Sequence, residues 1–413
     1  MKRMVTIMAT VREGDTMRGE ELTFNPMAAE VRRDPYPFYA EMRETPGLVK
    51  VPALDAWAVS RYDDAKHVLL NHQLFSSDPL INIAFGDFNP APGAPYMLAT
   101  DPPEHTRLRK LVGAAFGPKL ISAIEPSVER LVSELLDKVD PKQGFDLVED
   151  FSAPLPVSVI ADIMGIDASM APTFRRWSNN VTVGVNETIS EAQRAEIEKD
   201  AEDFRNYFLD RIAYARKNPG EDMISTLVRA EEEGQKLSAD EVMAMCVLLL
   251  IAGNETTTST IGNILYLLTV HPDQKTRVLE ERDLVPNLVE EALRFLSPIQ
   301  MLFRRTTEEL ELAGMTLPKD AIVMPIYASA NRDEAAFANA DQFDVGRKDA
   351  NKHMAFGQGI HSCIGRALGR FEATLAMRAI LNRFPRLVAD VDDVAWVDSF
   401  YLRGPKKLRV AEQ

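Results

Sequence analysis

Two stretches of this 413-residue chain hold residues whose types and spacing could do chemistry. The first is Phe356-Gly357-Gln358-Gly359-Ile360-His361-Ser362-Cys363-Ile364-Gly365, after which Arg366 to Glu372 open a helical pattern that runs to Leu381. A sulfur just ahead of a helix meets free backbone N–H groups and the positive end of the dipole. Both lower a thiol's pKa and make it a metal ligand or a nucleophile. The glycines around Cys363 let the backbone come close to something flat or bulky. The second stretch is Ala252-Gly253-Asn254-Glu255, followed by five hydroxyl residues, Thr256 to Thr260. Inside a helix a glycine costs about 1 kcal/mol, and Ser and Thr hydroxyls bond back to preceding carbonyls. A helix selected for stability would not carry this run. A solvated face is the plain explanation, but the apolar run Val242–Ala252 leads straight into it, which puts it at depth. A small pair that opens space, then an acid and an alcohol, offers a place for a small ligand and a route for protons.

The elements that must position these groups follow from the pattern around them. Ser238 and Glu241 form a capping box and Pro272 forbids continuation past His271, so the second stretch lies mid-way along a helix of about 32 residues, roughly 48 Å long. Apolar residues recur at helical spacing elsewhere, as in Val128, Leu131, Leu135 and Val139. Strands are the minority: a hairpin of Leu48–Val51 with Trp57–Ser60, and a second from Leu310–Leu312 to Ile322–Tyr327 with its turn at Pro318, Lys319 and Asp320. The fold class is therefore mainly α with small antiparallel β-sheets, in one domain over 1–413. The region to about 80 and residues 300–330 supply the sheet, and the remainder is mostly helical. Two segments break the pattern. Asp78–Thr100 reads as a long irregular loop bearing apolar groups, and Met170–Ser190 as an irregular segment suited to a lid.

Two smaller signals accompany them. Asp101-Pro102-Pro103 starts a helix on which His105 and Arg109 stand at i and i+4, a pair of donors able to grip carboxylates. Glu291 and Arg294 stand at i and i+3, with Glu290 and Arg294 as a competing i, i+4 pair; taken alone this is a surface ion pair. The two cysteines are too few for a disulfide framework, and Cys246, inside the apolar run, reads as a buried inert thiol. The net charge of −15 argues against nucleic acid and anionic membranes as partners. The longest apolar run is about half of the ~20 residues that span a bilayer, and the first residues form neither a signal peptide nor an anchor. A cytoplasmic, soluble protein is expected.

In combination these residues resemble the cytochrome P450 superfamily, in particular its soluble bacterial members. The thiolate signature F-x-x-G-x-H/R-x-C-x-G falls on Phe356, Gly359, His361, Cys363 and Gly365, and the oxygen-activation signature A/G-G-x-D/E-T on Ala252, Gly253, Glu255 and Thr256. The E-x-x-R motif falls on Glu291 and Arg294, with Arg347 completing a buried triad. The resemblance implies a long central helix crossing over haem b (iron protoporphyrin IX), with Cys363 as its axial thiolate. His105, Arg109, His361 and either Arg304 or Arg305 would hold the propionates, and Phe356, Gly357, Gly365 and Ala252 would lie against the cofactor. Gly253 would leave the gap that admits dioxygen, while Thr256 and Glu255 would supply and relay protons. The activity implied is insertion of one oxygen atom of O2 into a hydrophobic molecule, with electrons from NAD(P)H through separate partners, a ferredoxin or flavodoxin and its reductase. A basic patch of Arg107, Lys110, Lys352, Arg366 and Arg370 would dock an acidic donor.

By family position, substrate would touch Phe85, Phe88, Met97 and Leu98, then Leu249 and Ala252, then Gln300, Met301 and Leu302, and finally Phe400 and Tyr401. Nearly all are neutral, which suits a terpenoid, steroid, fatty acyl chain or polyketide of secondary metabolism. Each is equally a candidate for plain core. A peroxide-driven hydroxylase is the alternative enzyme, but members of that kind lack the acid–alcohol pair found here. A haem-based sensor is the non-catalytic alternative, although no signalling module is visible. A hydrolase with Cys363 as nucleophile and His361 as base fits poorly, because side chains two apart diverge at a helix start. The protein is expected to be monomeric.

Overall fold

A computed structural model describes residues 22–413 apart from 81–90, 92, 187–189, 233 and 393. The capping box forms as expected: the Glu241 N–H donates to Ser238 Oγ at 3.2 Å, and the Ser238 N–H donates to Glu241 Oε2 at 2.7 Å. The helix it starts, Ala239–Val270, has 32 residues and stops at His271 before Pro272. It is long and apolar enough to cross a bilayer, yet 67% of its most apolar window is buried inside the protein, which makes it a core element. Around this crossing helix pack Pro154–Ile163, Ala171–Asn186, Glu191–Lys217, Val285–Phe295 and Arg366–Arg383. One cluster of buried apolar residues runs with few interruptions from Ala91 to Val410 and holds these helices together.

The largest sheet has five strands in the order Val49–Val51, Ala56–Val59, Ile322–Pro325, Arg304–Thr306 and Phe75–Ser76. All neighbours pair antiparallel except Ile322–Pro325 with Ala56–Val59, which run parallel in the register Ile322↔Ala56. The first hairpin is as expected. The second is not. Leu310–Leu312 pairs with Met315–Leu317 through a two-residue turn at Ala313 and Gly314, both at positive φ (53° and 77°). That is the backbone a tight hairpin demands. Pro318–Asp320 then leads into Ile322–Pro325, which belongs to the larger sheet. Short strands also occur outside the two expected regions, at Phe145–Asp146, Leu387–Ala389 and Arg409–Glu412, and at Ala395–Trp396 with Pro405–Lys407.

The segment expected to be irregular from Met170 is instead helical over Ala171–Asn186. Its Asn, β-branched and Gly residues are poor helix formers. Packing overrides them: Phe174 and Trp177 pack on Phe204, Tyr207 and Phe208 of Glu191–Lys217, with Trp177 to Phe204 ring centres 5.2 Å apart.

Candidate active site

The polar run of the crossing helix is buried where a solvated face would be wet. Asn254, Thr257, Thr258, Ser259 and Thr260 are all buried, and each hydroxyl or amide with a recorded bond has a structural partner. Asn254 Nδ2 donates to Ser178 Oγ on the neighbouring helix, Thr258 Oγ1 donates to the Ser152 carbonyl, and Thr260 Oγ1 donates to the Thr256 carbonyl. Ala252 is exposed, and Gly253, Glu255 and Thr256 are half-buried, so one stripe of the helix is left open beside the buried run. On that stripe Thr256 Oγ1 donates to the Ala252 carbonyl at 2.6 Å. Gly253 has a packing role as well. A Cβ there would lie 2.6 Å from Ile160 Cδ1, so the glycine lets helix Pro154–Ile163 pack close. The open stripe is made by Ala252 and Thr256.

Cys363 lies three residues before helix Arg366–Arg383. Its N–H donates to the Phe356 carbonyl at 2.8 Å, closing a loop that Gly357 and Gly359 turn at φ 62° and 68°. At Gly359 a Cβ would sit 2.5 Å from the Leu69 carbonyl oxygen, so no other residue fits. Arg370 stacks over Phe356 at 4.6 Å. Cys363 is exposed, but in a concavity with protein on most sides of the sulfur. This burial pushes the thiol's pKa up, outweighing the Gly365 N–H and the charges of Arg109, Arg366 and Arg370, which lower it. The sequence expectation of a lowered thiol pKa is thus reversed in the protein alone. A metal cation bonded to sulfur supplies the counter-charge that draws out the thiolate. Gly369, one turn into the same helix, stands 3.9 Å from Thr257 Oγ1, measured from where its Cβ would be, so the cysteine helix packs directly against the polar run of the crossing helix. Cys246 is fully buried and its thiol is pushed up strongly, as an inert core group should be.

Beside the cysteine loop lies a nitrogen-rich cluster. The His105 and His361 rings are 4.2 Å apart, and Arg109 Nη2 donates to the Ser362 carbonyl at 2.6 Å. Both ring nitrogens of His105 and Nε2 of His361 are buried without a hydrogen-bond partner among the described residues. Burial pushes the His361 pKa down to about 2, with Arg304 the next cause, and that of His105 down to about 4. Buried polar atoms are almost always satisfied, so three orphaned nitrogens beside two guanidinium groups mark the place of an anionic partner. The carboxylates of a haem fit this donor set, with Cys363 next to it as the group that would hold the iron. Arg304 and Arg305 are adjacent on a strand and point to opposite faces. Arg305 pairs with Asp78 and Asp320, whereas Arg304 is 3% exposed and directs its charge at His361.

The triad expected from Glu291, Arg294 and Arg347 is present and is no surface pair. Glu291 and Arg294 are fully buried. Glu291 accepts from Arg294 Nε at 2.7 Å, Arg294 Nη2 at 2.8 Å, Arg347 Nε at 3.1 Å and the Asp344 N–H at 3.0 Å. The competing Glu290 pair is not made; Glu290 binds Arg370 at 2.6 Å and faces His353. Arg294 Nη1 also donates to the Asn331 carbonyl, and Asn331 Oδ1 accepts the Met354 N–H at 2.6 Å. The triad therefore braces the approach to the cysteine loop. No motif picks out Asn331 in the sequence.

The basic patch is largely consumed internally. Arg107 binds Glu104 and Glu241, tying helix Glu104–Gly113 to the capping box of the crossing helix, while Arg370 binds Glu290 and Lys352 faces Asp349. Lys110 and Arg366 are exposed. Among the substrate candidates, Phe85 and Phe88 lie outside the described residues. Met301 (0% exposed), Gln300 and Met97 are core: Gln300 accepts from Tyr39 Oη and donates to the Ser297 carbonyl. Leu98, Leu249, Leu302, Phe400 and Tyr401 are half-buried.

The family model described as Cytochrome P450 matches residues 48–410, and the chain belongs to that family. It is a monooxygenase of the haem-thiolate kind. It is 39% identical over 393 residues to 6-deoxyerythronolide B hydroxylase of Saccharopolyspora erythraea, covering 91% of this chain and 96% of that one. Among solved structures, CYP109Q5 from Chondromyces apiculatus is similar with a TM-score of 0.88 and 37% identity, covering 95% of this chain and 98% of that one. CYP109E1 from Bacillus megaterium in complex with testosterone has a TM-score of 0.84 and 36% identity, covering 92% and 99%.

Proposed function

We propose that residues 1–413 form one catalytic domain that oxidises a neutral, hydrophobic molecule of the size of a steroid or macrolactone, using haem b held by Cys363. The observation that carries this reading is the orphaned His105 and His361 pair, with Arg109 beside it and Arg304 acting on His361, next to the exposed Cys363. When bound, the haem with its thiolate ligand supplies the activation of O2 for insertion into a C–H or C=C bond. The chain's own residues do the rest. His105, Arg109, Arg304 and His361 neutralise and orient the propionates, while Phe356, Gly357 and Gly365 shape the bed on the cysteine side. Thr256 Oγ1 turns from the Ala252 carbonyl to donate its proton into the site, and Glu255, one residue earlier, replenishes it.

Leu98, Leu249, Ala252, Leu302, Phe400 and Tyr401 offer apolar surface with no fixed charge, which suits an uncharged substrate. The 6-deoxyerythronolide B in the name of one relative and the testosterone held by another support a rigid polycyclic or macrocyclic molecule. Electrons would come from NAD(P)H through a separate ferredoxin or flavodoxin and its reductase, with Lys110 and Arg366 on the docking side. A cytoplasmic monomer suits two unpaired cysteines. Titration of the purified holoenzyme with testosterone and with succinate tests the substrate class. A spectral shift with the steroid and none with the diacid is expected; the reverse pattern would rule out a neutral apolar substrate.

A further inference from the structure

Residues 397–404 form a loop whose ends are joined, the Val397 N–H donating to the Gly404 carbonyl at 2.9 Å and Trp396 pairing with Pro405. Phe400 and Tyr401 stand at its tip. The closing end of this loop lies directly on the crossing helix. A Cβ at Gly404 would lie 2.2 Å from Ser259 Oγ, 2.4 Å from its Cβ and 2.8 Å from its Cα. The last of these is backbone, so a side-chain rotation cannot relieve it. One residue on, the fit is reversed: a Cβ at Gly262 would lie 2.5 Å from Pro405 Cγ. Glycine is thus needed on each partner in turn, and loop and helix meet almost backbone to backbone.

Polar groups lock the same contact. Asn263 is 1% exposed and spends both amide hydrogens on carbonyls of two other segments, Leu296 and Arg403, each at 3.1 Å. The Arg403 N–H donates to the Pro298 carbonyl at 2.7 Å, and its guanidinium donates to the carbonyls of Arg32 and Arg33 while stacking on Trp396 at 4.2 Å. The Gln300 N–H donates to the Tyr401 carbonyl at 2.8 Å. Ser259 is three residues from Thr256, less than one helical turn.

We infer that Gly404 and Asn263 are positioning residues for specificity: they fix the height of Phe400 and Tyr401 above the Ala252–Thr256 stripe and so set the size and orientation of the molecule the site accepts. This rests on the reading that Phe400 and Tyr401 line the substrate site. Ordinary contact begins near 3.4 Å, so a methyl at Gly404 displaces the loop by about 1 Å, a shift large enough to cost up to about a hundredfold in fit.

The test is azole binding to the holoenzyme, with imidazole as the small probe and 4-phenylimidazole as the large one. Gly404→Ala is expected to change the affinity for 4-phenylimidazole about tenfold or more while that for imidazole stays within about twofold. The double variant Ser259→Gly with Gly404→Ala removes two of the three clashing atoms but not the backbone contact, and should restore part of the loss. Asn263→Ala, which keeps the helix and removes the bridge, should shift the large probe in the same sense and decides the matter where Gly404→Ala does not fold. Phe400→Ala and Tyr401→Ala report on the underlying reading. If they move the large probe and Gly404→Ala and Asn263→Ala do not, the positioning role is overturned and the substrate reading stands. If neither tip residue moves it, the substrate reading fails and takes this inference with it. Equal weakening of both probes would show general damage to the site and would also overturn the inference.

Discussion

Glu291→Ala removes the one anion at the centre of a fully buried network. Arg294 is left at 0% exposure with two of its N–H groups unpaired, and Arg347 loses its carboxylate contact as well. Breaking a buried pair from one side costs about 3–5 kcal/mol, because the remaining charge stays out of water without compensation. Against a total stability of about 5–15 kcal/mol this is a large fraction, a factor of roughly 10² to 10³ or more in the folded-to-unfolded ratio. The damage is expected to reach the cysteine loop, since Arg294 holds the Asn331 carbonyl and Asn331 holds Met354, two residues before Phe356. Urea unfolding followed by far-ultraviolet circular dichroism and by haem absorbance measures both effects. Glu290→Ala is the control: its side chain keeps 15% exposure and its partner Arg370 34%, so a smaller loss, about 1.5–3 kcal/mol, is expected. If Glu291→Ala unfolds at the same urea concentration as Glu290→Ala and binds haem normally, the buried-network argument is wrong.

Three further outcomes follow from the geometry. Burial pushes the Glu372 pKa up to about 8 from an ordinary 4.5, and Oε2 has no hydrogen-bond partner among the described residues. Because the folded state holds this proton more tightly, its contribution to stability is present below pH 4.5 and is lost as pH rises through 8. Glu372→Gln should match the parent at pH 5 and exceed it at pH 9 in melting experiments; equal pH slopes for the two would count against the neutral carboxyl. Thr256→Ala should leave haem binding unchanged and lower product formed per NAD(P)H consumed several-fold, on the order of 10-fold or more for a proton-transfer group; oxygen-electrode and product assays on the same sample decide it, and unchanged coupling removes Thr256 from proton delivery. Arg304→Ala should weaken haem retention in apomyoglobin transfer assays far more than Arg305→Ala, whose parent residue serves Asp78 and Asp320; equal losses would remove the distinction drawn between the two strand faces.

Local rules carried much of this architecture. A capping box and a proline bounded the crossing helix, and glycine spacing around Cys363 marked a loop that must approach its neighbours closely. What was not legible depends on partners far away in the chain. Arg107 looks like a free cation until Glu241, 134 residues on, is brought beside it. Gly253 reads as an opening, and only the fold shows that the Ile160 side chain packs against it. Gln300 and Met301 occupy family positions for substrate, but a hydrogen bond from Tyr39 and complete burial make them core. Helix Ala171–Asn186 is poor in helix formers and owes its conformation to aromatic packing on Glu191–Lys217, a contact no local pattern contains. The tight turn at Ala313 and Gly314 lacked the Asn-Gly or Asp-Gly pair that signals such turns.

The reduced, carbon monoxide-bound absorption spectrum tests the ligand directly, in three proteins purified with haem: the parent, Cys363→Ala and Cys246→Ala. The parent and Cys246→Ala should both give the thiolate-type band, and Cys363→Ala should lose it. Retention of that band in Cys363→Ala, or its loss in Cys246→Ala, would contradict the assignment of sulfur 363 as the bond between this chain and iron.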